Sequence, residues 1–206
     1  MDERGGKSPC TEKEPRTFLP ENRPYLPWLT LAVVLAATAI QLRLQGRIWW
    51  CACGRANLWA GDIWSAHNSQ HLLDPYSFTH VLHGIVFYGL LCWILSRVSA
   101  SWKLTAACGI EALWEILENT SYVIDRYREV TVSLEYEGDS VVNSMADILC
   151  CGAGFLLARR LGFRRSLLVY CAVEIFLVIW IRDSLTLNVL MLLYPLAPVR
   201  TWQMAR

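Results

Sequence analysis

Histidine is absent from this chain except between residues 67 and 84, where His67, His71, His80 and His83 all occur. Net charge is nearly absent as well; at +1 the chain offers no strongly basic surface, and no nucleic-acid partner is expected. No internal repeat of useful period is visible, which excludes solenoid and propeller architectures. The opening "MDERGGKSPCTEKEPRTFLPENRP" lacks the apolar run of a secretory signal. It is polar and proline-rich, so residues 1–24 are expected to form a disordered cytoplasmic tail.

What is abundant is apolar. The 206 residues are 54% hydrophobic and include ten tryptophans, enough for one compact unit of the membrane class and leaving no room for a second soluble domain. Runs near the ~20 residues that a helix needs to cross a bilayer lie at 25–42, 80–96, 103–124, 139–158 and 165–181. A shorter run at 184–199 ends among prolines and reads as a short sixth span or an interfacial helix. The expected fold is all-α: a polytopic transmembrane helical bundle of five spans with a short marginal sixth, occupying residues 25–206 as one domain. Of the eight cysteines, Cys92, Cys108, Cys150, Cys151 and Cys171 fall inside apolar runs and read as small core residues. Cys10 lies in the tail, and Cys51 and Cys53 form a separate pair.

With the N-terminus in the cytoplasm, eleven Lys and Arg fall on the inner side and five on the outer side, which satisfies the positive-inside rule. The chain is therefore expected in the cell inner membrane as a multi-pass protein. Two loops then face outward, at 43–79 and 125–138. The first carries Trp49, Trp50, Trp59 and Trp64, which favour the headgroup level, so it is expected to lie along the membrane.

Two spans carry residues that lipid rejects. "GIEALWEILENT" sets Glu111, Glu115 and Glu118 in one helical stripe, and "GDSVVNSMADILCCGAG" sets Asp139, Asn143 and Asp147 one turn apart. A charge at the bilayer centre costs about 2.5–3.5 kcal/mol on the lenient insertion scale, so these groups must face one another, a cavity or water. A rise of ~1.5 Å per residue places His83, Asn143, Glu118, Asp147 and Glu115 between ~5 and ~14 Å below the outer boundary, with Glu111 deeper. Arg126 and Arg128 lie at the rim. Buried polar groups also serve as interhelical glue worth ~0.6 kcal/mol per bond, so a purely packing role stands beside the functional one. Glu174, alone in the fifth span, is expected to pair with Arg182.

His83, one turn inside its span, is the candidate for acid–base chemistry. His67 and His71 have the i, i+4 spacing of metal ligands if their stretch is helical, yet "NSQ" and "DP" are turn-forming neighbours and headgroup contact is the alternative. "WWCACG" offers two thiols without a second pair for zinc, and reads as a local staple or as interfacial thiols. No metal site is assigned and the cofactor is left unknown.

The stretches "RIWWCACG", "DIWSAHNSQHLLDPYSFTHVLHG", "WEILENT" and "YEGDSVVNSMAD" together resemble an uncharacterised family of bacterial inner-membrane proteins known as a domain of unknown function. The resemblance implies location and no activity. The order His83, Glu115, Arg126, Asp139 and Asn143 is similar to the pattern of VanZ-like membrane proteins, which implies glycopeptide- or lipid-directed work at the cell envelope. The sequence departs from that pattern where Ala146 and Asp147 stand in place of an early glycine. "NSMAD" is also similar to the Asn-x-Ala-Asp of lipoprotein signal peptidase, at a different spacing.

The reading at this level is a membrane protein with an outer-leaflet polar pocket that binds or acts on a lipid-linked or anionic envelope substrate, in contact with membrane lipids. In its enzyme form His83 is base or acid, Asp139 or Glu118 orients it, Arg126 holds an anionic headgroup, and Asn143 with Asp147 fixes the deeper end. Glu115 completes the acidic layer. The rival form is a non-catalytic binding or assembly protein whose acidic core serves packing. A proton or cation path would need polar groups through "LTAACGI", which is apolar.

Overall fold

The computed structural model describes residues 23–55, 57–131 and 136–205. The tail at 1–22, including Cys10, lies outside the described residues. Helices α1 (Leu26–Leu44), α2 (Ser77–Ile94), α3 (Ala100–Glu118), α4 (Ser121–Val130), α5 (Val141–Leu161), α6 (Phe163–Ile181), α7 (Leu185–Leu193) and α8 (Ala197–Met204) make up the regular structure, with no strand among the described residues.

Several helix boundaries have a local cause. Pro27 opens α1, where its missing N–H costs no hydrogen bond, and Gly46 at φ +87° closes it. Thr120, Ser140 and Ser184 cap α4, α5 and α7 by accepting from the backbone N–H three residues on. Gly162 at φ +72° turns α5 directly into α6. Arg182, left-handed at φ +55°, breaks α6 from α7, and the two meet at 74°.

α2 and α5 form the closest pair, with α3 packed against both and against α1. Leu82, Ile85, Tyr88, Leu104, Ala107, Ile148 and Phe155 make their common core. On the outside, Leu29, Val33 and Ile40 of α1 and Leu167, Leu168, Ile175 and Ile179 of α6 are exposed, an apolar girdle that suits lipid.

Every expected apolar run is helical, but the span count needs correction. Among the described residues three helices, α1, α2 and α5, are long and apolar enough to cross a membrane, or four spans if the bent pair α6 and α7 counts as one, against the five or six expected. The cause is charge. α3 carries Lys103, Glu111, Glu115 and Glu118 and is sheltered among its neighbours, while α6 carries Arg164, Arg165 and Glu174. The run at 184–199 is no single helix either; it breaks between α7 and α8 around Pro195. Residues 121–130, split between a span and a loop in the sequence reading, form α4. Glu174 accepts from the Thr186 backbone N–H at 3.3 Å, and Arg182 turns instead to the Trp202 carbonyl.

Candidate functional site

The site lies at the end of the bundle where α2 begins, α3 ends and α5 begins. α2 supplies His80 and His83 one turn apart, their rings 5.4 Å from centre to centre. α3 supplies Glu111, fully buried, and both histidines converge on it: Nδ1 of His80 lies 2.5 Å and Nδ1 of His83 2.8 Å from Glu111 Oε1. His83 Nδ1 also reaches Oε2 at 3.0 Å, and its ring stacks on Phe87. With both Nδ1–H groups donated to one carboxylate, Nε2 is the nitrogen that His83 has left for other work.

Around this pair stands a ring of acids. Asp147 accepts from Ser77 Oγ at 2.9 Å and lies 3.8 Å from His80 Nε2. Asp139 accepts from Asn119 Nδ2 and from the Tyr136 hydroxyl, both at 2.9 Å, and its own N–H donates to Asn119 Oδ1. Burial, reinforced by the charge of Asp74, pushes the Asp139 carboxyl up to about 6 against those two donors. Asp74 accepts from the backbone N–H groups of Ser69 and Tyr76, and burial raises it as well. Glu118 is bonded by Tyr127. Glu115, fully buried, has no hydrogen bond to either carboxylate oxygen; its Oε1 lies 3.5 Å from His80 Nδ1.

These groups border a cavity of about 170 Å³. Its polar side is formed by Asp74, His80, His83, Glu118, Asp139 and Asp147, with Tyr76, Tyr127 and Tyr136, and its apolar side by Leu185, Val189 and Leu192 of α7. Asp183 holds that wall, accepting from the Tyr76 hydroxyl, Asn188 Nδ2 and Gln203 Nε2.

Of the residues expected to form the site, His83, Glu118, Asp139 and Asp147 line the cavity, and Glu115 sits behind it. Asn143 points to the connector instead, donating to Asp74 and to the Leu72 carbonyl. Arg126 does not line the cavity; it donates to the Leu192 carbonyl and lies 3.8 Å from Glu129. The place beside His83 expected for Asp139 or Glu118 belongs to Glu111. His80, Asp74, Asn119 and the three tyrosines were not among the expected site residues.

Groups able to hold a cation also occur. His80, Glu115 and Asp147 form one close set, and Glu115, Glu118 and Asp139 another. Outside the cavity, Cys51, Cys53, His67 and His71 form a third, in the long connector between α1 and α2.

The fold and site together define an all-helical protein with three or four apolar helices of membrane-crossing length and a polar cavity at one end of the bundle. The chain belongs to the family described as Protein of unknown function (DUF2585), whose model matches residues 42–205. It is 46% identical over 186 residues to a UPF0314 protein of Sinorhizobium fredii, covering 89% of this chain and 94% of the relative. To a UPF0314 protein of Paracoccus denitrificans it is 46% identical over 188 residues, 91% and 96% of the two chains. No solved structure matches it.

Proposed function

We propose that this protein is a multi-pass inner-membrane enzyme that receives the hydroxyl- or amine-bearing headgroup of a lipid-linked substrate from the outer leaflet, with His83 as the proton-transferring group. The observation that carries this reading is the two-sided cavity: acids, tyrosines and the histidine pair on one side, and the apolar wall of α7 on the other. At about 170 Å³ it is smaller than the roughly 300–1,000 Å³ of pockets that enclose whole drug-sized ligands, so it suits a headgroup whose chain lies outside along Val189 and Leu192.

Four lining carboxyl groups against two imidazoles favour a cationic or neutral hydroxyl-rich group over an anion. Arg126, the residue on which an anionic headgroup depended, is engaged elsewhere. Glu111 is a positioning residue: it holds His83 through Nδ1 so that Nε2 serves as base or acid.

Native mass spectrometry of the full chain in mild detergent tests the binding half. Amphiphiles with identical chains and a sugar, an amine or a phosphate headgroup are compared. The sugar or amine form is expected to bind at least about tenfold better than the phosphate, and Val189→Trp, which fills the cavity mouth, is expected to abolish the difference. Preference for phosphate, or no effect of Val189→Trp, overturns the reading.

Orientation rests on charge. Arg97, Arg159, Arg160, Arg164 and Arg165 cluster at the end of the bundle opposite the cavity, which favours the cavity end outside. Alkaline phosphatase fused after about residue 132 is expected to be active, and fused after about residue 162 inactive; the reverse pattern puts the cavity on the cytoplasmic side.

A further inference from the structure

The connector from 45 to 76 is long for a segment with no helix or strand of its own among the described residues, a length that compact domains rarely tolerate unless something ties the chain down. Its backbone pairing is local: Trp59 bridges Leu73, with Ala60 N–H donating to the Leu73 carbonyl and Leu73 N–H to the Leu58 carbonyl, and the N–H groups of Ser140, Val141 and Val142 donate to the carbonyls of Ser69, Ile48 and Trp49. Four side chains near its two ends nevertheless meet. Cys51 Sγ lies 3.3 Å from His67 Nδ1, and Cys53 Sγ lies 3.9 Å from His71 Nε2. One ligand atom from each of the four lies within 4.8 Å of all the others.

The geometry points to a structural zinc site in this connector, made by Cys51, Cys53, His67 and His71. Zinc at about 2.3 Å from sulfur and about 2.0 Å from nitrogen, in a tetrahedron, sets sulfur and nitrogen about 3.5 Å apart and two sulfurs about 3.8 Å apart. The observed 3.3 and 3.9 Å fall on either side of that edge. Two thiolates and two imidazoles are the donor set that selects zinc over calcium or magnesium, which prefer oxygen.

A second observation is independent of the spacing. His71 is 1% exposed, and its Nδ1 has no hydrogen-bond partner. Its other nitrogen, Nε2, has the Cys53 thiol as hydrogen-bond partner at 3.9 Å, so the buried ring is weakly satisfied by the protein, and a cation bound at Nε2 gives that nitrogen a stronger partner. The cluster also has a built asymmetry: Cys51 and His71 are buried while Cys53 and His67 are exposed, so the ion enters from the outer side and is held against the protein body.

Binding is written simply: Zn²⁺ joins two thiols and two neutral imidazoles, and the two thiol protons leave to solvent. No oxidant is needed. The consequence reaches the cavity, because Asn68 and Ser69, directly after His67, are part of its wall, and Ser69 donates to Asp74 and accepts from Ser140 N–H. Clamping residues 67 and 71 to residues 51 and 53 holds that wall in place.

The test uses the full chain, purified in mild detergent under reducing conditions without chelator, and measures metal by mass spectrometry. About one zinc per chain is expected. The double variant Cys53→Ser, His67→Ala changes two exposed residues and leaves the helical core untouched; it is expected to lower bound zinc more than about tenfold, while Cys150→Ser and Cys171→Ser keep it. Cobalt added to chelator-stripped protein is expected to give a thiolate-to-cobalt charge-transfer band with strong tetrahedral ligand-field bands, both lost in the double variant. Zinc retained in that variant places the metal at the carboxylate and histidine set instead and overturns the proposal. So does reduced protein that takes up neither zinc nor cobalt, or a Cys51–Cys53 disulfide that persists in its place.

Discussion

Alanine at Gly84 or at Gly154 is expected to destabilise the protein by the upper end of about 1–3 kcal/mol or more, the range for overpacking a tight core. A methyl group on Gly84 of α2 would lie 1.9 Å from the Cys151 carbonyl oxygen and 2.7 Å from the Phe155 nitrogen, both of α5. A methyl group on Gly154 of α5 would lie 2.0 Å from the Val81 carbonyl oxygen of α2. These are backbone atoms, and no rotamer change moves them aside; the helices themselves must part, as at small-residue crossings in membrane bundles. The parting would also shift His80 and His83, which sit on the same face region of α2. Gly89 and Gly109 are the matched controls. Both lie inside helices with nothing within 4 Å of an added methyl group, so alanine there is expected to be neutral or stabilising by up to about 1 kcal/mol, the helix-propensity difference. Thermal unfolding of the four single variants in one detergent decides the matter, and equal effects at all four positions would sink it. The double variant at 84 and 154 is expected to cost less than the sum of the singles, because the first methyl already opens the gap that the second needs.

This crossing was only partly visible in the amino-acid pattern. The apolar runs were plain, and the helices α1, α2, α5 and α6 begin and end within a few residues of the positions expected from them, while α3 ends six residues before the expected 124. Which runs could face lipid was less plain. Glu111, Glu115, Glu118 and Lys103 make α3 unfit for lipid by itself, and only tertiary packing between α1, α2 and α5 lets it lie within the bundle.

Glu111 illustrates how a small boundary error displaces a site. Extending the third span to residue 124 put Glu111 far deeper than His83. With α3 ending at Glu118 and α2 starting at Ser77, Glu111 lies seven residues from its end and His83 six, or ~10 and ~9 Å at the helical rise, so the two meet. The end itself was legible in hindsight: Asn119, Thr120 and Ser121 stop α3, and the Thr120 side chain starts α4. The Cys and His set was missed for a different reason. Each half was weighed alone, and neither pair closes a tetrahedron; sixteen residues of connector separate Cys51 from His67, and nothing in the pattern says that they return to one another.

Removing the carboxylate of Glu111 is expected to have the largest effect on the chemistry assigned to the cavity. Glu111 is the shared acceptor for Nδ1 of His80 and of His83, at 2.5 and 2.8 Å. In Glu111→Gln the amide keeps the shape but loses the charge, and its NH₂ group takes the place of one of the two oxygens that His83 Nδ1 reaches at 2.8 and 3.0 Å, setting a donor against the His83 N–H. One ring must turn or move its proton to Nε2, which takes from His83 the free nitrogen that proton transfer requires. Turnover of the cavity's substrate is expected to fall by about 10²–10⁴-fold, the range that positioned acid–base groups supply. His83→Ala is expected to fall as far, and the double variant no further, since the two residues act as one unit. Nitrogen-15 spectra of the histidine rings separate this from mere loss of fold: the wild-type protein is expected to show His83 with a proton held at Nδ1, and Glu111→Gln to show that signature lost with the other rings little changed. Glu115→Gln is the contrast, because no hydrogen bond reaches either Glu115 oxygen; it is expected to leave the His83 tautomer as it is. If Glu111→Gln keeps Nδ1-protonated His83 and wild-type turnover, Glu111 is packing alone, and the proton-transferring role of His83 fails with it.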